Sequence, residues 1–528
     1  MRMPLSGTPF QLQSSAIDAR IVKAKSAGRL PHYWYVLMGQ RYVITSLLLV
    51  ALMVSHSLYG RWVGDFWEHS AVVRELSTHP LHPLHPLLNV NKTHHFFSPY
   101  LLSVGLLSLF GSLTAIDALT IAGVLNLLLL LISLRLFIQC FFDKHQDAVG
   151  FYTLILVLFL WSAQAWDWSG FIHFKVLGNA LPYPSTFAIA ATFLIFTLYH
   201  RALDTLGKVK LLLAGILTAV VILTHPTTAI FTFIGILSIS LHHYKRMGLR
   251  AIAVGLLLLV GAVSLALLWP YYSLFDLAKA NNPEFHTQSY VLYQRVYVMW
   301  PTLLLAPFAL ALFIARLRQN TLDALVLMFC AAILVYIAGY ISEQYGVGRI
   351  IAFIAILMQM SLGAFLAQLE TKIGVGKVWY ALPIIAIVLF AGMVALHPRN
   401  KDVLRRAYRG YQGLRYSYSD HEILGSYVGQ YDVILSELET SWMIPTFGGK
   451  LIATTFLTHW IDDHEVRKHD VQRFFSKGVK QSELDSIIDH YQVDYILINR
   501  SNIQDLQIYY NIGDLVYENK EFILIKAQ

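Results

Sequence analysis

The chain of 528 residues has little cysteine and little charge. Its two cysteines, Cys140 and Cys330, both lie in apolar runs, which excludes a disulfide-bonded scaffold and a zinc site built from cysteines. Charged residues make up 14% of the chain, against about 25% in ordinary soluble domains. This shortage of charge excludes a disordered chain and argues against a string of soluble domains.

Hydrophobic residues, by contrast, make up 56% of the chain and aromatic residues 13%. They are gathered in runs that are long enough, or nearly so, to cross a bilayer. We therefore predict an α-helical polytopic membrane protein with about eleven transmembrane helices. The runs are 42–59, 117–140, 148–166, 185–200, 211–225, 227–242, 250–270, 300–315, 321–341, 349–369 and 378–396.

The distribution of basic residues predicts the orientation of these helices. With residues 1–41 in the cytosol, the cytosolic segments hold 17 Lys and Arg, and the outer segments up to 396 hold seven. Because short cytosolic connections are the basic ones in membrane proteins, we expect a cytosolic N-terminus in the cytoplasmic (inner) membrane and a C-terminal domain outside. The net charge of +8 thus reflects topology and does not indicate a nucleic-acid partner.

The predicted domains are a basic cytosolic segment, 1–41, a membrane core, 42–396, and an extracytoplasmic α/β domain, 397–528. In the last, alternating short apolar segments predict strands at 433–435, 451–453 and 495–498, helices at 470–477 and 481–491, and a hairpin of 515–517 with 522–525. The membrane core carries a long outer loop, 60–116, whose apolar run 97–113 we expect to lie at the membrane surface as a helix.

This outer loop opens with the motif Gly-Asp-Phe-Trp-Glu-His, residues 64–69. If Asp65 begins a helix that runs to Leu76, Glu68 and His69 follow at the third and fourth positions, and all three can share one helix face. Asp with Glu three residues later is also a capping box, in which Asp65 only accepts backbone hydrogen bonds. At a membrane boundary, however, such a cluster favours a polar cavity where a carboxylate acts as general base.

The motif and its surroundings resemble the GT-C superfamily of membrane glycosyltransferases, which use polyprenyl-phosphate sugars. The resemblance rests on the cytosolic start, the first span, the acidic motif, and an apolar piece that ends Leu-Phe-Gly at 109–111 before Asp-Ala-Leu at 117–119 and a long span. It implies a GT-C fold and inverting transfer of a sugar to a glycan, lipid or protein outside the cytosol. Asp65 is then the base, with Glu68 and His69 orienting the acceptor or a metal.

The sequence also departs from the pattern of that superfamily. Phe66 and Trp67 separate the two acids of the motif, and the second outer loop holds a lone Asp167 in place of an acidic cluster. Dependence on a divalent metal therefore stays open. Asp167, His94 and His95 are the predicted neighbours of the acceptor or the metal.

Two further features have alternative interpretations. Arg349 opens a span on the outer side and either binds the donor phosphate through its guanidinium or anchors the helix at the interface. His79, His82 and His85 repeat every third residue with prolines between them, which aligns them in a polyproline II segment. They either contribute to a metal site or lie in a segment that the prolines stiffen.

Other classes of function remain as alternatives to a transferase. A transporter or lipid flippase would use the charged outer loops as gates, but no inverted repeat is evident and no ionisable residue lies deep in a span. A non-catalytic envelope-assembly protein would present the C-terminal domain to partners.

Overall fold

The computed structural model describes residues 39–142, 144–279, 283–373, 389, 392–393, 396–455, 461–501 and 507–528. These residues form a helical membrane part followed by a small α/β domain. In the membrane part the helices are α1 (Arg41–Tyr59), α2 (Phe66–Thr78), α3 (Pro99–Gly111), α4 (Ala115–Phe141), α5 (Gln146–Phe159), α6 (Phe174–Ala180), α7 (Pro184–Thr205), α8 (Lys208–Thr224), α9 (Pro226–Met247), α10 (Leu249–Leu267), α11 (Leu274–Lys279), α12 (Pro283–Gln294), α13 (Trp300–Leu304), α14 (Ala306–Gln319), α15 (Ala324–Ile341) and α16 (Ile351–Ile373), with 3-10 turns at Val296–Met299 and Tyr345–Ile350.

Six of the described helices are long and apolar enough to cross a membrane, and a bent pair, Val296–Leu304 with Ala306–Gln319, would make seven. They are α1, α4, α7, α10, α15 and the continuous segment Tyr345–Glu370. The predicted count of eleven is therefore not confirmed. Helix α5, predicted as a span over 148–166, has 14 residues and rises only about 21 Å. The predicted span 378–396 lies almost entirely outside the described residues.

Helix α3 corresponds to the outer-loop run that the sequence predicts as a surface helix. Ser98 caps it by accepting a hydrogen bond from the Leu101 backbone N–H, and Pro99 occupies its first position, where no N–H is needed. Its 13 residues rise roughly 20 Å, less than the ~30 Å of a hydrocarbon layer. The prediction that this run is too short to span agrees with the structure.

The C-terminal domain contains a five-stranded sheet with the strand order β2-β1-β3-β5-β4. Strands β2, β1 and β3 run parallel, and β5 and β4 form the predicted antiparallel hairpin. The elements are α17 (Pro398–Tyr411), α18 (Ser419–Glu422), α19 (Leu424–Tyr427), β1 (Val433–Ser436), a 3-10 turn at Ser441–Met443, α20 (Ile444–Phe447), β2 (Lys450–Leu451), α21 (His464–Phe474), α22 (Gln481–Tyr491), β3 (Tyr495–Asn499), α23 (Gln507–Tyr510), β4 (Gly513–Glu518) and β5 (Phe522–Ala527). Strand β2 corresponds to the predicted strand 451–453, but it has only two residues and begins one residue earlier, at Lys450.

The first outer loop joins this sheet. Backbone hydrogen bonds link Leu87 and Asn89 to Leu451 of β2, at 2.8 and 3.0 Å, so the loop extends the sheet at its β2 edge. Apolar side chains cover both faces of the sheet: α21 and α22 pack on one, and Ala71 of α2 with Leu87 and Leu88 pack on the other. The outer loop and the C-terminal domain therefore form one packed body.

A buried ion pair lies where these two parts meet. Lys450 Nζ contacts Glu75 Oε2 at 2.8 Å and donates to the His85 carbonyl oxygen at 2.7 Å. The other oxygen of Glu75 accepts the Leu84 backbone N–H at 2.8 Å. The side chains of Lys450 and Glu75 are 6% and 1% exposed. Each charge is thus compensated by the other, and the pair fixes the proline-rich segment against β2.

Because a buried charge without its partner is costly, we expect Lys450→Met to lower the stability of the outer body by about 3 to 5 kcal/mol. Replacing both partners, as in Lys450→Met with Glu75→Leu, should restore much of the loss. The measurement is thermal unfolding of the purified protein in detergent. Lys92→Met is the matched control, because Lys92 pairs with Asp462 on the surface, where such pairs contribute about 1 kcal/mol or less. Equal losses in the two Lys variants would contradict the prediction.

The predicted orientation can be tested by labelling cysteines from outside the cell. In a variant without Cys140 and Cys330, a cysteine at the exposed Ser426 should react with a membrane-impermeant maleimide in intact cells. A cysteine at Leu206, which is 58% exposed between α7 and α8, should react only after the membrane is opened. The reverse pattern would overturn the assignment of the C-terminal domain to the outer side.

Candidate functional site

A cavity of about 550 Å³ lies where the outer loops, the end of the Tyr345–Ile350 turn and helix α17 meet. Among the described residues that line it are three acids and four bases: Asp65, Asp167, Asp402, Lys175, Arg349, Arg399 and Arg406. The volume is typical of a site for a small molecule or a lipid headgroup. The cavity therefore combines a carboxylate that can act as a base with a set of anion-binding groups.

Asp65 enters the cavity from the turn that precedes α2. Gly64 takes a positive φ of 69°, which favours glycine, and this turn directs the chain into the helix. The Tyr183 hydroxyl donates to the Val63 carbonyl oxygen at 3.0 Å and accepts the Phe66 backbone N–H at 3.1 Å. Tyr183 therefore holds the backbone on both sides of Asp65.

A second tyrosine, from the C-terminal domain, holds the chain just before this turn. The Tyr418 hydroxyl donates to the Gly60 carbonyl oxygen at 2.9 Å and accepts the Trp62 backbone N–H at 2.7 Å. The Trp62 ring stacks on Phe66 with the centroids 4.7 Å apart. The segment that carries Asp65 is thus held both from the membrane part and from the C-terminal domain.

The carboxylate of Asp65 makes no capping hydrogen bond to α2, within the part of the chain that the structure describes. The capping-box interpretation therefore does not account for this residue. Burial raises the pKa of the Asp65 carboxyl above its usual range, and the nearby charge of Arg349 offsets part of this rise. A raised pKa makes the ionised carboxylate a stronger base, as general-base catalysis near neutral pH requires.

Arg349, which the sequence predicts either as a ligand of the donor phosphate or as an interfacial anchor, lies on the same cavity. Its Nη1 donates to the Ser169 hydroxyl at 3.3 Å, and its guanidinium lies 5.3 Å from the centre of the Trp168 ring. These contacts orient the planar group, whose fork of N–H donors matches the geometry of a phosphate.

The remaining charged groups of the cavity are paired. Asp167 contacts both Lys175 and Arg399. Asp402 pairs with Arg406 at 2.5 Å, and Arg406 also donates to the side-chain oxygen of Asn179 at 3.1 Å. Asp167 thus lies at the site, but each of its two carboxylate oxygens contacts a cationic group, which leaves it poorly suited to bind a metal ion.

The basic residues of α17 are not among the site residues that the sequence predicts. This helix of 14 residues contains five basic residues, Arg399, Lys401, Arg405, Arg406 and Arg409, directly after the last apolar run. The positive-inside rule disfavours such a cluster outside the membrane. Its presence on the predicted outer side was the signal that could have identified an anion site.

Glu68, His69, His94 and His95, which the sequence predicts beside Asp65, do not line the cavity. Glu68 is fully buried, and its Oε1 lies 3.4 Å from His94 Nε2. Burial raises the pKa of the Glu68 carboxyl well above its usual range, and the charge of Asp65 raises it further. The rings of His94, which is buried, and His95, which is half-buried, stack 4.8 Å apart in the same layer. This layer packs behind Asp65 and does not line the cavity.

Two histidines of this layer use a ring nitrogen to accept backbone hydrogen bonds. The Nδ1 of His94 accepts the Phe96 backbone N–H, and the Nδ1 of His85 accepts those of Leu87 and Leu88. An acceptor at Nδ1 places the proton of a neutral imidazole on Nε2, so the His94 ring directs an N–H and not a lone pair towards Glu68. His79 and His82 are exposed while His85 is buried, so the three repeated histidines do not share one environment.

The fold resembles solved membrane proteins. ArnT from Cupriavidus metallidurans, bound to undecaprenyl phosphate, superimposes with a TM-score of 0.51 at 12% identity, over 92% of this chain and 98% of that one. The oligosaccharyltransferase of Archaeoglobus fulgidus, in complex with Zn and sulfate, gives a TM-score of 0.48 at 13% identity, over 86% of this chain and 68% of that one. No family model and no curated protein sequence matches the chain. The chain therefore shares the fold of ArnT.

Proposed function

We propose that the protein is a membrane glycosyltransferase that moves a sugar from a polyprenyl-phosphate carrier to an acceptor outside the cytosol. The observation that carries this proposal is the common cavity of Asp65 and Arg349. A sugar transfer of this kind needs one base for the acceptor and cationic donors for the leaving phosphate. The GT-C fold is the scaffold on which such an arrangement is expected.

In the proposed reaction, the carboxylate of Asp65 accepts the proton of the acceptor hydroxyl. The acceptor oxygen then attacks the anomeric carbon, and the bond from this carbon to the phosphate oxygen breaks. Attack from the face opposite the phosphate inverts the configuration of the sugar. The negative charge that develops on the lipid phosphate is stabilised by the Arg349 guanidinium, supported by the Lys175, Arg399 and Arg406 side chains of the same cavity.

The buried layer of Glu68, His69 and His94 has a positioning role in this proposal. The rings of His69 and Tyr183 lie 5.1 Å apart, and Tyr183 holds the backbone on both sides of Asp65. A Glu68 carboxyl kept neutral by burial adds no second negative charge beside the base, so Asp65 ionises more readily than it would next to a carboxylate.

Binding of the lipid carrier tests the proposal directly. We expect native mass spectrometry of the purified protein to show retention of undecaprenyl phosphate but not of undecaprenol, which has the same tail without the phosphate. The cationic cavity predicts this difference, because the phosphate is the group that its arginines recognise. Equal retention of the two lipids would show that the tail alone binds, as in a nonspecific lipid contact, and would contradict the proposed donor.

The raised pKa of Asp65 predicts an acidic limit to the transfer activity. Only the ionised carboxylate accepts a proton, so activity should fall as the pH drops through the pKa of Asp65, at a pH above the ~3.9 of an ordinary aspartate. Because the charge of Arg349 lowers this pKa, Arg349→Gln should move the acidic limit to higher pH when donor is saturating. An acidic limit that stays in place in this variant would show that another group controls it.

A further inference from the structure

A second group of metal-ligating side chains lies far from the cavity, where helices α7 and α9 approach each other. His200 and Asp204 are one turn apart on α7, and His243 faces them from α9. Each of the three residues offers one ligand atom, and these three atoms lie within 4.8 Å of one another. His200 Nδ1 is 3.1 Å from His243 Nε2, and His200 Nε2 is 3.4 Å from Asp204 Oδ2.

This group is separate from the proposed transfer site. Helix α7 begins directly after Tyr183, which holds the Asp65 turn, and Asp204 lies at its other end. At 1.5 Å per residue, the two ends of α7 are roughly 30 Å apart. The side chains of His200 and His243 are 13% and 5% exposed, while that of Asp204 is 38% exposed. The group is therefore partly enclosed and open to solvent on the side of the aspartate.

A neighbouring arginine orients the aspartate. Arg246 Nη1 contacts Asp204 Oδ1 at 2.7 Å, and Arg246 Nη2 donates to the Leu203 carbonyl oxygen at 2.8 Å. Asp204 Oδ2 is the oxygen that faces His200. Carboxylates that bind a metal are commonly held by a further residue behind them. Here Arg246 holds one oxygen of Asp204, and the other oxygen points towards His200.

We propose that His200, Asp204 and His243 bind one zinc ion, or another divalent transition metal that prefers the same ligands, with water as the fourth ligand. Two imidazoles and a carboxylate form a zinc ligand set, whereas calcium and magnesium prefer oxygen ligands alone. Ligand atoms held about 2.0 to 2.1 Å from a tetrahedral ion lie roughly 3.3 Å apart, so the ion would draw together three ligand atoms, one from each residue, that already lie within 4.8 Å of one another. The bound ion joins α7 to α9 at the ends remote from the cavity.

The test measures zinc in the purified full chain, after any affinity tag is removed and weakly bound metal is taken off with a chelating resin. The wild type should retain about one zinc per chain, and its Tm should rise when zinc is added to the stripped protein. The double variant His200→Gln with His243→Gln should lose both the bound zinc and the rise in Tm. Cobalt added in place of zinc should give the visible absorption of a tetrahedral site in the wild type alone.

Two controls keep the outcome interpretable. His469→Gln removes a histidine that is 73% exposed in the C-terminal domain and should leave the zinc content unchanged. Retention of undecaprenyl phosphate by the double variant should equal that of the wild type, which separates a lost metal site from a misfolded protein. Equal zinc content in the wild type and the double variant overturns the proposal, as does a stripped wild type that takes up no zinc at micromolar concentration.

Discussion

Asp65→Asn should lower the rate of sugar transfer by about 100- to 10,000-fold, the usual contribution of a general base. The amide has nearly the shape of the carboxylate but cannot accept the acceptor's proton at neutral pH. Because Asp65 makes no capping bond to the described helix that follows it, the substitution should leave stability and abundance close to those of the wild type. The measurement is the initial rate of transfer by purified protein with saturating lipid-phosphate sugar.

Asp117→Asn is the matched control for this substitution. Asp117 lies in the first turn of α4, where the Thr114 hydroxyl donates to its carboxylate at 2.8 Å. It lies outside the cavity, in the first turn of a helix whose N-cap is Thr114, and the amide oxygen of Asn can accept the same Thr114 hydroxyl. Transfer should therefore continue in this variant. If Asp65→Asn retained more than a third of the wild-type rate, Asp65 would not be the base.

Arg349→Lys should raise the donor concentration for half-maximal transfer about ten- to a hundredfold. Lysine keeps the positive charge but loses the planar fork that donates two parallel hydrogen bonds to a phosphate. The loss of one such charged bond corresponds to roughly 1.5 to 3 kcal/mol. Lysine also lacks the flat guanidinium that lies against the Trp168 ring, so its ammonium is held less firmly. Titration of lipid-phosphate sugar into the purified variant measures the effect.

The alternative interpretation of Arg349 as an interfacial anchor predicts a different result. An ammonium serves as well as a guanidinium at the membrane surface, so the half-saturating concentration would then stay the same. Arg415→Lys makes the same exchange at an exposed position of the outer domain and should not change donor dependence. An unchanged donor titration in Arg349→Lys would remove this residue from the proposed phosphate site, while the Asp65 variant would still test the base.

Several features of the fold follow from the sequence because they depend on local patterns. Apolar runs of membrane-spanning length predict helices wherever they occur, since backbone groups in a hydrocarbon layer must bond within the helix. The strands of the C-terminal domain follow from short apolar segments between polar turns, and β1, β3 and the terminal hairpin lie where the sequence places them. The acidic motif likewise identifies the start of α2, because aspartate is favoured at a helix N-terminus.

The number of membrane spans could not be determined in this way. Helix α5 is apolar enough to resemble a span but ends at Phe159, and the chain then continues as loop towards Trp166. Hydropathy measures how apolar a segment is. It does not show whether the segment packs inside the protein or faces lipid, and apolar side chains satisfy both conditions equally well.

Tertiary packing determines which residues of the acidic motif face the cavity and which are buried. Helical spacing places Asp65, Glu68 and His69 on neighbouring positions, but His94 lies against Glu68, Tyr183 lies against His69, and Asp65 remains on the cavity. The basic residues that share the cavity with Asp65 come from positions about 110 to 340 residues further along the chain, and no local pattern relates them to Asp65. The sequence alone thus indicated the membrane class, the positions of most strands, and Asp65 as a candidate that the structure places on the cavity. Only the tertiary structure decided which charges meet there, because burial and distance between remote segments depend on how the helices and the outer sheet pack together.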